Sequence, residues 1–180
     1  VYDATVVFCG RFVDRRSRTH DQMVQAARSG VQNIAEGSMA SATSKKTELK
    51  LTGVARASLE ELLLDYQDFL RQRGLRIWSK DSPEALEVRR RLHRFSSDGS
   101  DRSDMSGTSD GSDTSEKADA CGIATATAEV AANTLLCLVN QASYLLGRQL
   151  QALERQFLEG GGVTERLYQA RQQARREPGR

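Results

Sequence analysis

The sequence predicts an all-α protein: an antiparallel up-and-down four-helix bundle with short accessory helices and a disordered, Ser- and Asp-rich insertion. Apolar residues recur at intervals of three and four over long stretches, which is the spacing of one helix face. Serine, threonine and glycine residues stand where these stretches begin and end. No segment has the alternation and turn residues of a hairpin. We therefore expect a single bundle domain over residues 1–180.

The first two helices are predicted from short apolar stripes. Residues 2–13 carry a stripe at helical spacing, made of Val6, Cys9, Phe12 and Val13. A capping box from Thr19 to Gln22 predicts the start of the second helix, and Gly37 is predicted to end it. The small residues on its buried face allow a close helix approach. That face comprises Met23, Ala26, Ala27, Gly30 and Ile34.

The third helix has the longest stripe. Ser44 or Thr43 is expected to cap its start, and Gly74 to end it. One face is expected to be buried along about seven turns. It comprises Leu51, Ala55, Ser58, Leu59, Leu62, Tyr66, Phe69 and Leu70. A shorter helix then begins with Ser82 as N-cap and Pro83 at the first helical position.

A low-complexity insertion at residues 96–122 is predicted to be flexible, because it has almost nothing to bury. Its residues 96–119 carry seven acids and two bases, a net charge of −5, so the rest of this +2 chain carries +7. The next helix is expected over 128–158, ended by three glycines at 160–162. Thr164 is expected to cap a basic C-terminal helix or tail over 163–180. The buried face of the long helix comprises Val130, Leu135, Leu138, Ala142, Leu145, Leu146, Leu153 and Phe157.

Catalytic and metal-binding residues are not grouped in this sequence. His20 and His93 have no nucleophile or metal partner nearby, and the Glu-x-x-His pairs of di-metal bundles do not occur. No phosphate-binding glycine motif is present. We therefore expect a non-enzymatic protein without metal or cofactor. Three widely spaced cysteines, a polar N-terminal stretch and no apolar run of about 20 residues indicate a cytoplasmic protein with no membrane partner.

Clustered basic residues are the remaining candidate site. One cluster opens the third helix, a second lies on the short helix and a third lies in the tail: Lys45, Lys46, Lys50; Arg89, Arg90, Arg91, Arg94; and Arg171, Arg175, Arg176. Phosphate binding requires such clusters and no particular fold. The helix dipole disfavours lysines at a helix N-terminus. Three interpretations stay open: nucleic-acid contact, pairing with a carboxylate such as Glu36 or Glu48, and solubility.

Residues 20–78 resemble a bacterial four-helix-bundle family named after proteins encoded in intervening sequences of large-subunit ribosomal RNA genes. The resemblance is carried by Arg28-Ser29, by Asn33 to Gly37, which includes Glu36, by Ser44-Lys45 and by the Leu-rich stretch Leu49 to Leu70. Residues 130–171 resemble the subgroup that carries a four-helix-bundle suffix domain.

This resemblance implies an up-and-down bundle that assembles as a homo-oligomeric ring, commonly a pentamer. It also implies kinship in fold to the accessory variability protein of diversity-generating retroelements, which works with a reverse transcriptase and binds nucleic acid. RNA or DNA and a reverse transcriptase are therefore the implied partners, and no catalytic residue is carried over. We expect a nucleic-acid or ribonucleoprotein accessory protein; the alternative is a protein-interaction scaffold with no nucleic-acid role.

Overall fold

The computed structural model describes residues 1–98, 122–161 and 163–176, without the side chains of 93–98, 160, 163, 164, 166, 169, 174 and 176. Most of the described residues are helical, and no strand occurs in these ranges. The helices are α1 (Tyr2–Phe12), α2 (Arg18–Ala40), α3 (Lys45–Gln72), α4 (Pro83–Asp98), α5 (Ala128–Gly160) and α6 (Val163–Arg176). The all-α prediction is confirmed. The predicted insertion at 96–122 lies almost entirely outside the described residues.

Helices α2, α3 and α5 pack together as a helical bundle. Gly30 of α2 lies against Leu59 of α3, and Gly37 of α2 lies against Leu51, so the two helices run in opposite directions. Helix α5 also runs opposite to α3. Asn133 near its start bonds Trp78 just beyond the end of α3, whereas Gly147, farther along α5, lies beside Arg56 in the middle of α3. The predicted stripe of α3 is buried, except that Leu51 is half-buried.

Helix α1 packs against α2 and α5 at one end of the bundle. Phe8 is fully buried and contacts the rings of Tyr66 and Phe69 at centroid distances of 5.1 and 4.8 Å. Arg11 donates to the carbonyl oxygens of Ile123 and Ala126, beside the start of α5. The predicted stripe of this helix is rotated: Val6 is 41% exposed, whereas Ala4, Thr5 and Phe8 face the core.

Most helix ends follow their sequence signals. Ser44 accepts from the Thr47 amide of α3, and Ser82 accepts from the Ala85 amide of α4. Gly74 and Gly161 adopt φ of +62° just beyond α3 and α5, in the left-handed region that glycine enters without strain.

Three predicted helix ends are wrong. Helix α2 begins at Arg18 with Ser17 as N-cap, whose hydroxyl accepts from the His20 amide at 3.1 Å, so Thr19 does not cap it. Gly37 lies inside α2, which continues to Ala40. Helix α6 begins at Val163, so Thr164 lies in its first turn.

By length and composition alone, α5 is the one helix in the described ranges that could cross a membrane. Half of its most apolar stretch is buried against the rest of the protein. Since the core helix of a bundle has the same properties, this is weak evidence for a membrane span.

Candidate functional site

The lysine cluster at the start of α3 divides into one paired and two unpaired residues. Lys45 is half-buried and donates to the Glu48 carboxylate at 2.9 Å. Glu48 is 7% exposed, and its pairing with Lys45 compensates part of the cost of burying its charge. Lys46 and Lys50 are exposed and have no ion pair in the described part of the chain. They lie one turn apart on the same face of α3, so one ligand can contact both.

The arginines of α4 are largely engaged within the protein. Arg89 donates to the carbonyl oxygens of Ala85, at 3.3 Å, and of Lys80. Arg90 and Arg91 share one carboxylate, Glu87, at 3.5 and 3.4 Å. The side chain of Arg94 lies outside the description. Because of these pairings, the α4 cluster offers less positive charge to a ligand than its sequence suggests.

The basic residues of α6 are described in part. Arg171 and Arg175 are exposed, and neither has an ion pair with the described residues. The side chain of Arg176 is not described. Arg171 and Arg175 are i,i+4 neighbours and therefore lie on one face of this helix.

The structure does not bring the lysines of α3 together with the arginines of α4. Lys46 and Lys50 lie in the first two turns of α3, whereas the segment leading to α4 begins after its last turn. A helix of 28 residues spans about 42 Å. Arg89 lines a cavity with Gln67, which lies 17 residues beyond Lys50 on α3. Along the helix that is about 25 Å, farther than a Debye length at physiological salt.

The residues that carry the family resemblance lie mainly at the contact between α2 and α3. The Ser29 and Ser58 hydroxyls are 3.0 Å apart, and the Asn33 amide donates to the Ser29 carbonyl at 2.8 Å. Gly37 is buried, while Arg28 and Glu36 are exposed. Ser44 caps the following helix. Their positions give this motif a packing role.

Buried titratable groups cluster where α1 meets α3. Burial, aided by the nearby Asp65 carboxylate, raises the pKa of the Cys9 thiol to about 12. Burial also raises the pKa of Tyr66, although its hydroxyl donates to Thr5 Oγ1 at 3.0 Å. The pKa of Asp65 is raised by desolvation and by Glu61 and Asp68. These groups stay protonated more readily than in water, which suits a core rather than a nucleophile.

Metal-binding and acid–base candidates are sparse. The described residues contain no group of three or more His, Cys, Asp or Glu that could hold a metal ion. His20 lies 3.4 Å from its exposed neighbour Asp21 at the start of α2. Of the free thiols, Cys137 is half-buried, and burial raises its pKa while Arg89 opposes that shift.

A cavity beside Trp78 was not predicted from sequence. It lies between α5, α4 and the segment joining α3 to α4. The available signal was Asn133, a fully polar side chain within the apolar stripe of α5, which is 1% exposed. Buried amides generally hold a backbone segment in place, and this one holds Trp78.

Comparison of the chain with protein-family models, with curated protein sequences and with solved structures found no match.

Proposed function

We propose that this protein is a non-enzymatic helical bundle that assembles with copies of itself and serves as an interaction scaffold. One observation carries the proposal: two helices continue beyond α1 with part of their apolar stripes exposed. These residues have the spacing of core residues in the sequence, and the described part of the chain does not cover them.

On α2, exposure rises along a single face. Ala27 is fully buried, whereas Ile34, seven residues later on the same face, is 39% exposed. Val31, one turn beyond Ala27, is 51% exposed. Residues seven apart lie on the same side of a helix, so the difference arises from what covers them. Helix α1 lies beside the early part of α2, where Cys9 Sγ is 3.9 Å from Met23 Sδ.

The same change occurs on α5. Ala131 is fully buried, Leu138 is half-buried and Leu145 is 55% exposed, at intervals of seven residues. Because α2 and α5 both run opposite to α3, their uncovered ends lie at the same end of the bundle. We call Val31, Ile34, Leu138, Ala142 and Leu145 the uncovered face.

A helix from a second copy is the occupant that this proposal assigns to the uncovered face. In the covered half, α1, α2, α3 and α5 alternate in direction, as in an up-and-down four-helix bundle. In the other half, the described residues leave the fourth position open. Further exposed apolar side chains lie outside the uncovered face, with Leu158 83%, Leu167 55% and Tyr168 63% exposed.

Two different patches that complement each other form a heterologous contact, which closes into a ring when the rotation permits. Such a contact agrees with the ring, a pentamer in the commonest case, that the family resemblance implies.

The test compares two charge substitutions at equally exposed leucines. Leu145→Glu places a carboxylate on the uncovered face, whereas Leu64→Glu places one on α3, where Leu64 is 60% exposed and points away from the core. By light scattering, we expect the unmodified protein and Leu64→Glu to form multimers and Leu145→Glu to shift toward the monomer. Circular dichroism verifies that both variants remain helical. A monomeric unmodified protein at micromolar concentration, or equal effects of the two substitutions, would refute the proposal.

Nucleic-acid binding is the second candidate function, and the unpaired Lys46 and Lys50 favour it. A ring repeats this small cluster once per subunit, so weak phosphate contacts add up. The retroelement-type partners implied by the resemblance, RNA or DNA with a reverse transcriptase, belong to this candidate.

Its test is fluorescence anisotropy with single- and double-stranded probes across a salt series. Replacing both Lys46 and Lys50 with glutamate should weaken binding to RNA and DNA alike. The salt slope should fall by about 0.7–0.9 for each phosphate that the protein no longer neutralises. Lys45 is left unchanged, because its removal would strand the buried Glu48. The matched control replaces Arg90 and Arg91 with glutamate. If only this control weakens binding, the nucleic-acid site lies on α4. If the unmodified protein does not bind nucleic acid at low salt, the nucleic-acid function is refuted and only the scaffold function stands.

A further inference from the structure

The cavity beside Trp78, which we call the Trp78 pocket, has the size of a small-molecule site. Its volume is about 580 Å³, within the range of roughly 300–1,000 Å³ that such sites occupy. Trp78 and Tyr144 contribute aromatic surface to its wall. Trp78 is half-buried and Tyr144 is 64% exposed, so the pocket opens to solvent on the Tyr144 side.

The wall that carries Trp78 is held in place by one buried amide. Asn133 Oδ1 accepts from the Trp78 amide at 2.8 Å. Its Nδ2 donates to the carbonyl oxygens of Arg76 and Glu129, at 2.8 and 2.9 Å. With these bonds Asn133 fixes the segment between α3 and α4 onto α5. The Trp78 backbone is thus positioned before any ligand arrives, which lowers the entropic cost of binding.

The charge of the pocket is positive. Arg89 and Lys80 line it, and none of the lining residues among those described is an aspartate or glutamate. The neighbouring cavity on the α4 side of Trp78 differs, because it contains Glu84 and Glu87. A cation pair without a carboxylate is a recognition element for an anion.

Hydrogen-bond donors in the Trp78 pocket exceed the acceptors that the protein supplies. A guanidinium has five N–H donors, and Arg89 uses two groups toward the Ala85 and Lys80 carbonyls. Its remaining donors, and the Lys80 ammonium, have no partner in the described part of the chain. The Gln67 and Gln141 amides also line the cavity and make no side-chain hydrogen bond with the described residues.

We propose that the Trp78 pocket binds a small planar aromatic molecule that carries one anionic group. The ring packs against Trp78 and Tyr144, while the anion accepts from Arg89 and Lys80. Aromatic surface and cations in the same pocket select a ligand that has both features over one that has either alone. The pocket is distinct from the uncovered face and from the lysines of α3, so this inference does not depend on the proposed function.

The test uses Trp78 as its own reporter, because it is the one tryptophan in the sequence. Phenyl phosphate and adenosine 5′-monophosphate probe the pocket with two ring sizes, while adenosine and inorganic phosphate each lack one feature. We expect saturable changes in tryptophan fluorescence with at least one aromatic phosphate. Adenosine and inorganic phosphate should bind at least about tenfold more weakly than that ligand.

Two variants assign the anion site. Arg89→Gln and Lys80→Gln should each weaken binding of the aromatic phosphate, the former by about tenfold. Arg91→Gln is the matched control on α4, since Arg91 faces the neighbouring cavity. Lys80→Gln keeps the test valid if Arg89→Gln disturbs α4, because the Lys80 side chain makes no structural hydrogen bond among the described residues. Failure of both aromatic phosphates to alter the fluorescence, equal binding of adenosine, or unchanged binding by both variants would overturn the proposal.

Discussion

Gly37 illustrates how one missing side chain sets the distance between two helices. A Cβ atom there would lie 3.3 Å from Leu51 Cβ and 3.6 Å from the Glu48 carbonyl oxygen. Neither atom can move without moving α3. At Gly30 the nearest atom is instead the far end of Leu59, at 3.3 Å, which a rotamer change can shift. The contact of α2 with α3 therefore tolerates change at Gly30 more readily than at Gly37.

Two glycines in the same pair of helices should respond in opposite ways to substitution. Gly53→Ala should raise the free energy of unfolding by about 0.5–1 kcal/mol, because a helix favours alanine over glycine and no neighbour lies within 4 Å of the new Cβ. Gly37→Val should lower it by about 1–3 kcal/mol through overpacking. Urea denaturation followed by circular dichroism measures both changes. Equal effects at the two sites would show that the close approach at Gly37 does not limit stability.

Among the elements, α1 contributes more to the core than its length suggests. It spans 11 residues, yet it buries Phe8 and Cys9 completely and provides Thr5 as the acceptor for Tyr66. The Cys9 thiol also lies 3.9 Å from the Met23 sulfur of α2. Two groups with raised pKa values, Cys9 and Tyr66, thus meet at this contact.

The contact of α1 with α3 should make the protein sensitive to alkali. An unfolded chain releases the cysteine and tyrosine protons near pH 8.5 and 10, whereas the folded chain keeps the Cys9 proton up to about pH 12. Above pH 8.5–9 the unfolded state therefore binds fewer protons, and stability falls as pH rises toward 12. Between its unfolded-state and folded-state pKa, each group lowers the free energy of unfolding by at most about 1.4 kcal/mol per pH unit.

Urea denaturation under reducing conditions at pH 7.5, 9 and 10 measures this decline in stability. Cys9→Ala should be less stable at pH 7.5 because it leaves a small cavity, but its stability should decline less steeply with pH. Tyr66→Phe should likewise make the decline in stability with pH less steep once the pH approaches 10. Identical slopes for the three proteins would place the alkaline sensitivity elsewhere in the chain.

At the scale of the whole molecule, the sequence predicted local features better than the arrangement of surfaces. Ser44, Ser82, Gly74 and Gly161 mark helix ends through contacts within a few residues, so they could be recognised in advance. The helix class and the stripe of α3 follow from periodicity alone. Ser17 was missed in favour of Thr19 because Thr19 with Gln22 matches the capping box, whereas Ser17 is followed three residues later by His20.

Long-range features could not be predicted in the same way. Ile34 and Leu145 have the spacing of core residues, and their exposure depends on where α1 ends in space. The sequence likewise does not report the distance between the basic clusters: Arg89 lies in a cavity with Gln67, far along α3 from Lys46 and Lys50. The Trp78 pocket forms because a segment without regular structure packs onto α5. The spacing of apolar residues does not predict where such a segment lies.

The bond between Arg11 and the Ile123 carbonyl has a consequence for synthesis on the ribosome. Its two partners are 112 residues apart in the chain. At about 5–20 residues per second, the second partner is made roughly 6–20 s after the first. During that interval α1 lacks the contacts that it makes with the start of α5. Helix α1 is therefore made well before one of the segments that hold it in place, and that side of the helix is open to chaperones and to neighbouring nascent chains while it waits.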